Sequence, residues 1–248
     1  MAFKGKIESI LRKYPPFFRL GSKIYHALNL GFKSLSPGAP AAIERAFEIA
    51  RNLNGHNSIG DYYEFGLYKG YTFYIAYRTA ERLGLGQTRF YGFDSFQGLP
   101  QVEDVDKTGG RFFEGQFSCS RQQVEKNLKK HGMDFNKVQL IEGFYEDVLD
   151  KKLKKELPAG RAGVVLFDCD LYSSTRTALD WLQGLITDKT VMVFDDWYSF
   201  TEGQEMGQQR ALKEFGERNP NLIFEPEMEF ERNGKMFIVH QKARSNNS

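Results

Sequence analysis

The chain has 248 residues, a formal net charge of +2 and 15% aromatic residues. This length suits one large domain, or one domain with a short appendage. The near-zero charge does not indicate a nucleic-acid partner. Two cysteines are too few for a disulfide framework, which favours a reducing, cytoplasmic setting. No apolar run approaches the ~20 residues of a membrane-spanning helix, and the N-terminus lacks the apolar block of a signal peptide.

The first 33 residues are basic, with seven Lys or Arg against one Glu, and Pro15 and Pro16 interrupt their helical pattern. We expect residues 1–55 to form an N-terminal helical cap or lid. The alternative is an element that contacts a membrane surface, but the segment lacks the long apolar face that such a helix needs. Within it, a helix is predicted over residues 41–53, after a break at 36–40.

Short apolar strands alternate with helical stretches over residues 56–242, which predicts one domain there and a flexible tail over 243–248. This alternation is typical of an α/β fold with a mainly parallel sheet covered on both faces. The seven predicted strands are 62–65, 89–93, 137–142, 162–167, 190–194, 222–230 and 235–241. The predicted helices between them are 72–83, 122–131, 174–186 and 204–218, with a polar loop over 97–118. A closing hairpin makes the last strand antiparallel.

Ligands of open α/β sheets bind beyond the carboxyl ends of the strands, so the polar residues there indicate function. The first strand ends at Glu64-Phe65-Gly66, and the turn runs on to Gly70. Gly66 lets the backbone turn sharply, and Gly70 lets the next helix start close to the sheet. The complete Gly-x-Gly-x-x-Gly fingerprint is missing, which disfavours a dinucleotide-dependent dehydrogenase.

Asp94 ends the second strand, 28 residues after Gly66. An acidic residue at this place can accept hydrogen bonds from both hydroxyls of an adenosine ribose. The alternative is an Asp that caps the turn after its strand. Its position after a glycine-containing turn favours the ribose role.

Three further carboxylates, Asp168, Asp195 and Asp196, directly follow the apolar runs 164–167 and 191–194. Such runs are typical of buried parallel strands, so we expect these carboxylates to converge at one edge of the sheet. Clustered carboxylates repel one another unless a cation neutralises them. A hard divalent cation such as Mg²⁺ prefers oxygen ligands and can acidify a bound hydroxyl. Asp170 is either a further ligand or a helix cap.

Four motifs together resemble the macrocin O-methyltransferase family over residues 60–215. They are Tyr63-Glu64-Phe65-Gly66-x-Tyr68-Lys69-Gly70, Gly92-Phe93-Asp94-Ser95-Phe96-Gln97-Gly98-Leu99-Pro100, Asp168-x-Asp170-Leu171-Tyr172-x-Ser174-Thr175 and Phe194-Asp195-Asp196-Trp197. The resemblance implies a Rossmann-like class I methyltransferase fold, S-adenosylmethionine and Mg²⁺. It also implies methylation of a sugar hydroxyl on a macrolide or related natural product.

By position, the resemblance implies a cofactor site at Glu64, Phe65, Gly66, Tyr68, Gly70, Asp94, Ser95, Gly143, Phe144 and Asp168. Asp168, Asp195 and Asp196 would hold the metal, and Asp168 would also help to remove the hydroxyl proton. Tyr172 and Trp197, together with Phe144, would line the acceptor side. One departure is Tyr71-Thr72-Phe73, which stands where smaller residues are usual after Gly70.

The sequence therefore predicts a cytoplasmic O-methyltransferase, dependent on S-adenosylmethionine and Mg²⁺, that acts on a hydroxyl of a small molecule. The acceptor is expected to be a sugar of a glycosylated natural product or a saccharide, not a nucleic acid. Two alternatives stay open: a metal-independent methyltransferase with Asp168 as a simple base, and a non-catalytic S-adenosylmethionine-binding domain whose basic N-terminus docks on a membrane or a partner. Homo-oligomerisation also stays open.

Overall fold

The computed structural model describes residues 31–55, 58–106, 112–200, 206–231 and 233–242. Its helices are α1 (Ala39–Leu53), α2 (Tyr71–Arg82), α3 (Arg121–Lys130), α4 (Tyr145–Val148), α5 (Lys151–Glu156), α6 (Tyr172–Leu182) and α7 (Gly207–Arg218). Its strands are β1 (Asp61–Phe65), β2 (Phe90–Asp94), β3 (Val138–Glu142), β4 (Ala162–Phe167), β5 (Val191–Phe194), β6 (Leu222–Phe230) and β7 (Gly234–Gln241). Most of the predicted N-terminal cap and the predicted tail lie outside the described residues.

One seven-stranded sheet organises the domain, in the order β3-β2-β1-β4-β5-β7-β6. Strands β1 to β5 pair in parallel, and β7 pairs antiparallel with both β5 and β6. Six strands thus run in one direction and the last runs against them, which confirms the predicted fold class. The order reverses between β1 and β4, and this reversal is where α/β sheets of this kind bind their ligands.

Helices cover both faces of the sheet, and each face has its own apolar core. Side chains of α1, α2 and α3 pack on one face, and those of α4, α6 and α7 pack on the other. The strands β4 and β5 are buried along their whole length, as their apolar sequences predict. β1 is also buried throughout, although it contains Asp61 and Glu64. Among the helices of the described residues, none is long and apolar enough to cross a membrane.

A row of four phenylalanine rings runs across the middle of the sheet at its carboxyl edge. Phe65 stacks on Phe93 at 4.7 Å and on Phe167 at 5.6 Å, and Phe167 stacks on Phe194 at 4.7 Å. The four residues pair in register on adjacent strands. Because their backbones lead into Gly66, Asp94, Asp168 and Asp195, this rigid apolar row positions the residues of the candidate site.

The polar stretch predicted as a loop over 97–118 is tied to the domain by a buried carboxylate. It contains a short 3₁₀ turn at Asp104–Asp106. The side chain of Asp106 accepts hydrogen bonds from the backbone N–H groups of Tyr172 and Ser173 at 2.6 and 3.2 Å. These donors lie at the start of α6, where backbone N–H groups lack helical partners, so Asp106 caps that helix from a distant segment.

Candidate functional site

The first residues beyond β1, β3, β4 and β5 line the carboxyl edge of the sheet. Each is held by a backbone hydrogen bond to the neighbouring strand: Gly66 N–H to the carbonyl of Phe93 at 2.9 Å, Gly143 N–H to Asp94 at 3.1 Å, Asp168 N–H to Phe65 at 2.9 Å and Asp195 N–H to Phe167 at 3.1 Å. The polar groups that follow the strands are therefore held in sheet order, as the motif positions predict.

Three carboxylates meet where β4 and β5 end. Asp168, Asp195 and Asp196 each offer an oxygen, and these oxygens lie within 4.8 Å of one another. Burial and the neighbouring Asp196 raise the pKa of Asp195 to about 7. Burial, followed by the charges of Asp195 and Asp196, raises the pKa of Asp168 well above its usual range. Keeping all three ionised at neutral pH requires a compensating positive charge.

Neighbouring polar side chains fix this acidic cluster (Asp168, Asp195 and Asp196) in place. The Ser36 hydroxyl donates to Asp195 Oδ1 at 2.8 Å, and the Ser199 hydroxyl donates to Asp196 Oδ1 at 2.6 Å. From α7, Gln208 is fully buried, accepts the backbone N–H of Asp196 at 3.1 Å, and donates to the carbonyl of Phe167 at 3.0 Å.

Sequence reasoning missed these three partners, because each lies outside the strand-end motifs. Ser199 lies only three residues after Asp196, so this contact is the one of the three that a local sequence pattern could have predicted.

The turn after β1 is shaped by Gly66, whose φ of +95° lies in the left-handed region. A Cβ at this position would stand 1.9 Å from the carbonyl oxygen of Asp168, so only glycine lets β1 and β4 end this close together. The predicted site residue Phe65 turns its ring into the core. Gly70, with a φ of +81°, starts α2, and Tyr68 also has a positive φ, of +49°.

Glu64 is fully buried beneath this turn. Its two carboxylate oxygens accept hydrogen bonds from the hydroxyls of Tyr62 at 2.5 Å and Thr72 at 2.6 Å. Burial is the main cause that raises the pKa of Glu64 to about 8, and the two hydroxyl donors oppose it. Thr72 belongs to Tyr71-Thr72-Phe73, the segment after Gly70 where the family usually has smaller residues. Here Thr72 holds the Glu64 carboxylate.

Asp94 ties the turns after β1 and β2 together. Its carboxylate accepts the backbone N–H groups of Leu67 at 2.7 Å, Tyr68 at 3.1 Å and Phe96 at 2.6 Å. Asp94 thus caps the turn after its strand, which was the alternative to the predicted ribose contact. The neighbouring Ser95 hydroxyl donates to the carbonyl of Gly98 at 2.7 Å and accepts the N–H of Gln97 at 3.0 Å.

The remaining predicted site residues lie around this row. Gly143 has a φ of +145° and leads into Phe144, which is partly buried at the start of α4. Trp197 is partly buried beside Asp196 and packs against Phe237 at 4.7 Å between ring centroids.

Tyr172 is buried, and its hydroxyl donates to Glu214 of α7 at 2.7 Å, so its polar end is bound on the α7 side. Asp170 is buried and has a φ of +60°.

The sequence was compared with models of known protein families. A family model described as macrocin O-methyltransferase matches residues 43–229. The chain belongs to this family. The match covers most of α1, all of β1 to β5 and most of β6. It confirms the resemblance carried by the four motifs.

Two relatives come from Streptomyces. One, from Streptomyces olivaceus, is named 8-demethyl-8-(2,3-dimethoxy-alpha-L-rhamnosyl)-tetracenomycin-C 4'-O-methyltransferase; it is 28% identical over 144 residues, which are 56% of this chain and 53% of the relative. Another, from Streptomyces niveus, is named demethyldecarbamoylnovobiocin O-methyltransferase; it is 22% identical over 62% of this chain and 59% of the relative. The matches thus span between half and two thirds of each relative's length.

Solved structures share the fold. The O-methyltransferase NovP superposes with a TM-score of 0.64 at 21% identity, over 82% of this chain and 80% of that one. The calicheamicin methyltransferase CalS11 superposes with a TM-score of 0.63 at 17% identity, over 80% and 77%. An O-methyltransferase from Bacillus cereus in complex with SAH reaches 0.53 at 14% identity, over 88% of each chain. At these identities the comparison establishes the class of fold.

Proposed function

We propose that this protein is an S-adenosylmethionine-dependent O-methyltransferase that methylates a sugar hydroxyl of a glycosylated natural product, with a divalent cation at the acidic cluster. The observation that carries the proposal is the convergence of Asp168, Asp195 and Asp196 within 4.8 Å at the carboxyl ends of β4 and β5, in a chain of the macrocin O-methyltransferase family. The cluster lies beside the reversal of strand order, where ligands of such sheets bind.

The chemistry of the donor set fits Mg²⁺. All three groups are carboxylates, which are the hard oxygen ligands that Mg²⁺ prefers. The pKa values of Asp168 and Asp195 are raised, to about 7 for Asp195, because burial and the neighbouring carboxylates disfavour the ionised cluster without a cation. When bound, a divalent cation lowers the pKa of a hydroxyl that it contacts.

The donor set at the ends of β1, β2 and β3 fits an adenosyl group. Asp94 is only partly buried as a residue and uses its carboxylate for three backbone N–H groups. A carboxylate has about four acceptor positions, so one is left for a ribose hydroxyl. Gly66 and Gly143 donate their backbone N–H groups to the carbonyls of Phe93 and Asp94 at the end of β2, and neither carries a side chain. Apart from Asp168, the proposed cofactor residues therefore lie at the ends of β1, β2 and β3, beside the acidic cluster at the ends of β4 and β5.

In the proposed reaction, the protein holds the acceptor hydroxyl at the acidic cluster and in line with the methyl group of the donor. Positioning of this kind contributes about 7–11 kcal/mol to barrier reduction. Asp168 is the proposed acceptor of the hydroxyl proton, because it belongs to the acidic cluster at which the hydroxyl is proposed to bind. The partly buried rings of Trp197 and Phe144 supply apolar surface for the acceptor.

The acceptor class follows from the relatives. The names of both Streptomyces relatives describe O-methylation of natural products, one of them carrying a dimethoxyrhamnosyl group. We therefore place the acceptor hydroxyl on a sugar of a glycosylated small molecule.

The test combines the purified protein, S-adenosylmethionine and Mg²⁺ with a panel of glycosylated and phenolic acceptors, and it follows S-adenosylhomocysteine by mass spectrometry. Methylated glycosides with chelator-sensitive turnover support the proposal. Turnover that survives exhaustive chelation would instead favour the metal-independent mechanism. Absence of S-adenosylmethionine binding in calorimetry would overturn the enzyme assignment.

A further inference from the structure

A short segment that precedes α1 reaches the acidic cluster. We call residues 32–38 the strap. At its start, the ring of Phe32 stacks on His131 at 4.3 Å and packs edge-on against Tyr71 at 5.2 Å. At its other end, the Gly38 N–H donates to the Glu231 side chain in the turn between β6 and β7. The strap is thus anchored on both sides of the acidic cluster.

Ser36 lies between these two anchors and contacts two carboxylates. Its hydroxyl oxygen is 2.8 Å from Asp195 Oδ1 and 3.1 Å from Glu231 Oε2. A hydroxyl has a single proton to donate, so the shorter contact, to Asp195, is the principal bond. Pro37 follows directly and restricts the backbone of Ser36 to extended conformations. The Ser36 side chain is therefore presented to Asp195 by a backbone of limited freedom.

We propose that Ser36 is a positioning residue for the cation site, and that Glu231 and the strap hold it in place. This inference rests on the proposed function, since it assigns Asp195 to a cation. By occupying Oδ1, Ser36 fixes the rotation of the Asp195 carboxylate relative to Asp168 and Asp196. Without that bond, the repulsion among the three carboxylates favours rotation of Asp195 away from its neighbours.

The size of the effect follows from the behaviour of other outer partners of metal ligands, whose loss lowers metal affinity about 10- to 100-fold. Ser36→Ala should therefore weaken Mg²⁺ binding at least about tenfold. Ser36→Thr keeps the hydroxyl and should restore most of the affinity. Glu231→Gln keeps one acceptor oxygen for the strap, so it should lower Mg²⁺ affinity less than Ser36→Ala does.

The experiment is calorimetric titration of Mg²⁺ alone into the full chain, with S-adenosylmethionine affinity measured in parallel. Glu227→Gln is the matched control for Glu231→Gln. Glu227 lies on β6, four residues before Glu231, and its carboxylate is 3.7 Å from the Arg45 guanidinium instead of contacting the strap. The same change of charge there should leave Mg²⁺ affinity as it is. The S-adenosylmethionine affinity of Ser36→Ala should also match that of the unsubstituted chain.

Two groups of results overturn the inference, and only the second also overturns the proposed cation site. Wild-type Mg²⁺ affinity in Ser36→Ala, or a loss that Ser36→Thr does not restore, removes the positioning role while the proposed function stands. Failure of the unsubstituted chain to bind Mg²⁺, or wild-type affinity in Asp195→Asn, removes the cation site itself and the role of Ser36 with it.

Discussion

At the scale of single residues, the acidic cluster is the part of the site on which the proposed chemistry depends. Asp168→Asn and Asp195→Asn each replace a proposed metal ligand with a neutral amide of nearly the same shape, and Asp168 is also the proposed proton acceptor. We expect each to reduce turnover by more than about 100-fold, because even outer partners of metal ligands cost 10- to 100-fold. Release of S-adenosylhomocysteine measures turnover. Calorimetry measures cofactor affinity, which in Asp195→Asn should remain close to that of the unsubstituted chain.

The matched control for these two variants is Asp180→Asn, which makes the same chemical change at an exposed ion pair with Arg218. Its turnover should equal that of the unsubstituted chain, since exposed pairs of this kind contribute little. Full turnover in both cluster variants would contradict the proposed role of the carboxylates.

Glu64 makes a second prediction at this scale, about stability and pH. Its pKa is about 8 in the folded chain against an ordinary value of 4.5, so the folded state binds the extra proton between these values. Stability contributed by this proton is present below about pH 4.5 and is lost as pH rises through about 8. Inside that window, this one residue lowers the free energy of unfolding by up to about 1.4 kcal/mol for each unit of rising pH.

Glu64→Gln tests this dependence because the amide resembles the protonated acid and does not titrate. The free energy of unfolding of the metal-free protein, measured with urea between pH 5.5 and 8.5, should fall less steeply with rising pH in the variant than in the unsubstituted chain. Asp195, whose pKa is about 7, contributes a decline of the same sign, so some slope should remain. Equal slopes in the two proteins would show that Glu64 is ionised throughout.

At the scale of elements, the turn from β1 into α2 depends on one glycine. Gly66→Ala combines a φ of +95° with a Cβ placed 1.9 Å from the Asp168 carbonyl oxygen. Gly84→Ala shares a positive φ, of +72°, but its Cβ meets nothing within 4 Å. The control should lose about 1–2 kcal/mol from backbone strain alone, and Gly66→Ala should lose clearly more free energy of unfolding. Equal losses would mean that β1 and β4 separate easily.

The elements that the sequence predicted well have strong periodic signals. The bounds of β4 and β6 match the predicted 162–167 and 222–230, because continuous or alternating apolar residues end sharply at polar ones. The two short helices α4 and α5 were missed. They span four and six residues, and α5 buries none of its side chains, so neither leaves an apolar periodicity to detect.

At the scale of the whole molecule, the site joins segments that sequence patterns cannot relate. The three aspartates could be predicted to converge, because each follows a buried strand of one parallel sheet. Ser36 and Glu231 are 195 positions apart, and they meet only because the strap crosses the edge of the sheet to the β6–β7 turn. Asp106 similarly caps α6 from 66 positions away. Such contacts arise from tertiary packing and carry no local motif.

The state of the acidic cluster should also be visible in the stability of the whole domain. Asp195 ionises with a pKa of about 7, so above that pH the metal-free cluster carries more repelling charge and also offers better ligands. Mg²⁺ bound only by the folded state stabilises it, by about 2.7 kcal/mol at 100 times the dissociation constant. The rise in Tm caused by a fixed Mg²⁺ concentration should therefore be larger at pH 8 than at pH 6.

Differential scanning calorimetry at constant ionic strength measures this difference, with NaCl replacing MgCl₂ in the reference. Asp195→Asn serves as the control, because it removes both the titrating carboxyl and a proposed ligand, and its Tm should respond weakly to Mg²⁺ at either pH. A Mg²⁺ response that is equal at the two pH values, or that persists in Asp195→Asn, would place the cation elsewhere in the chain.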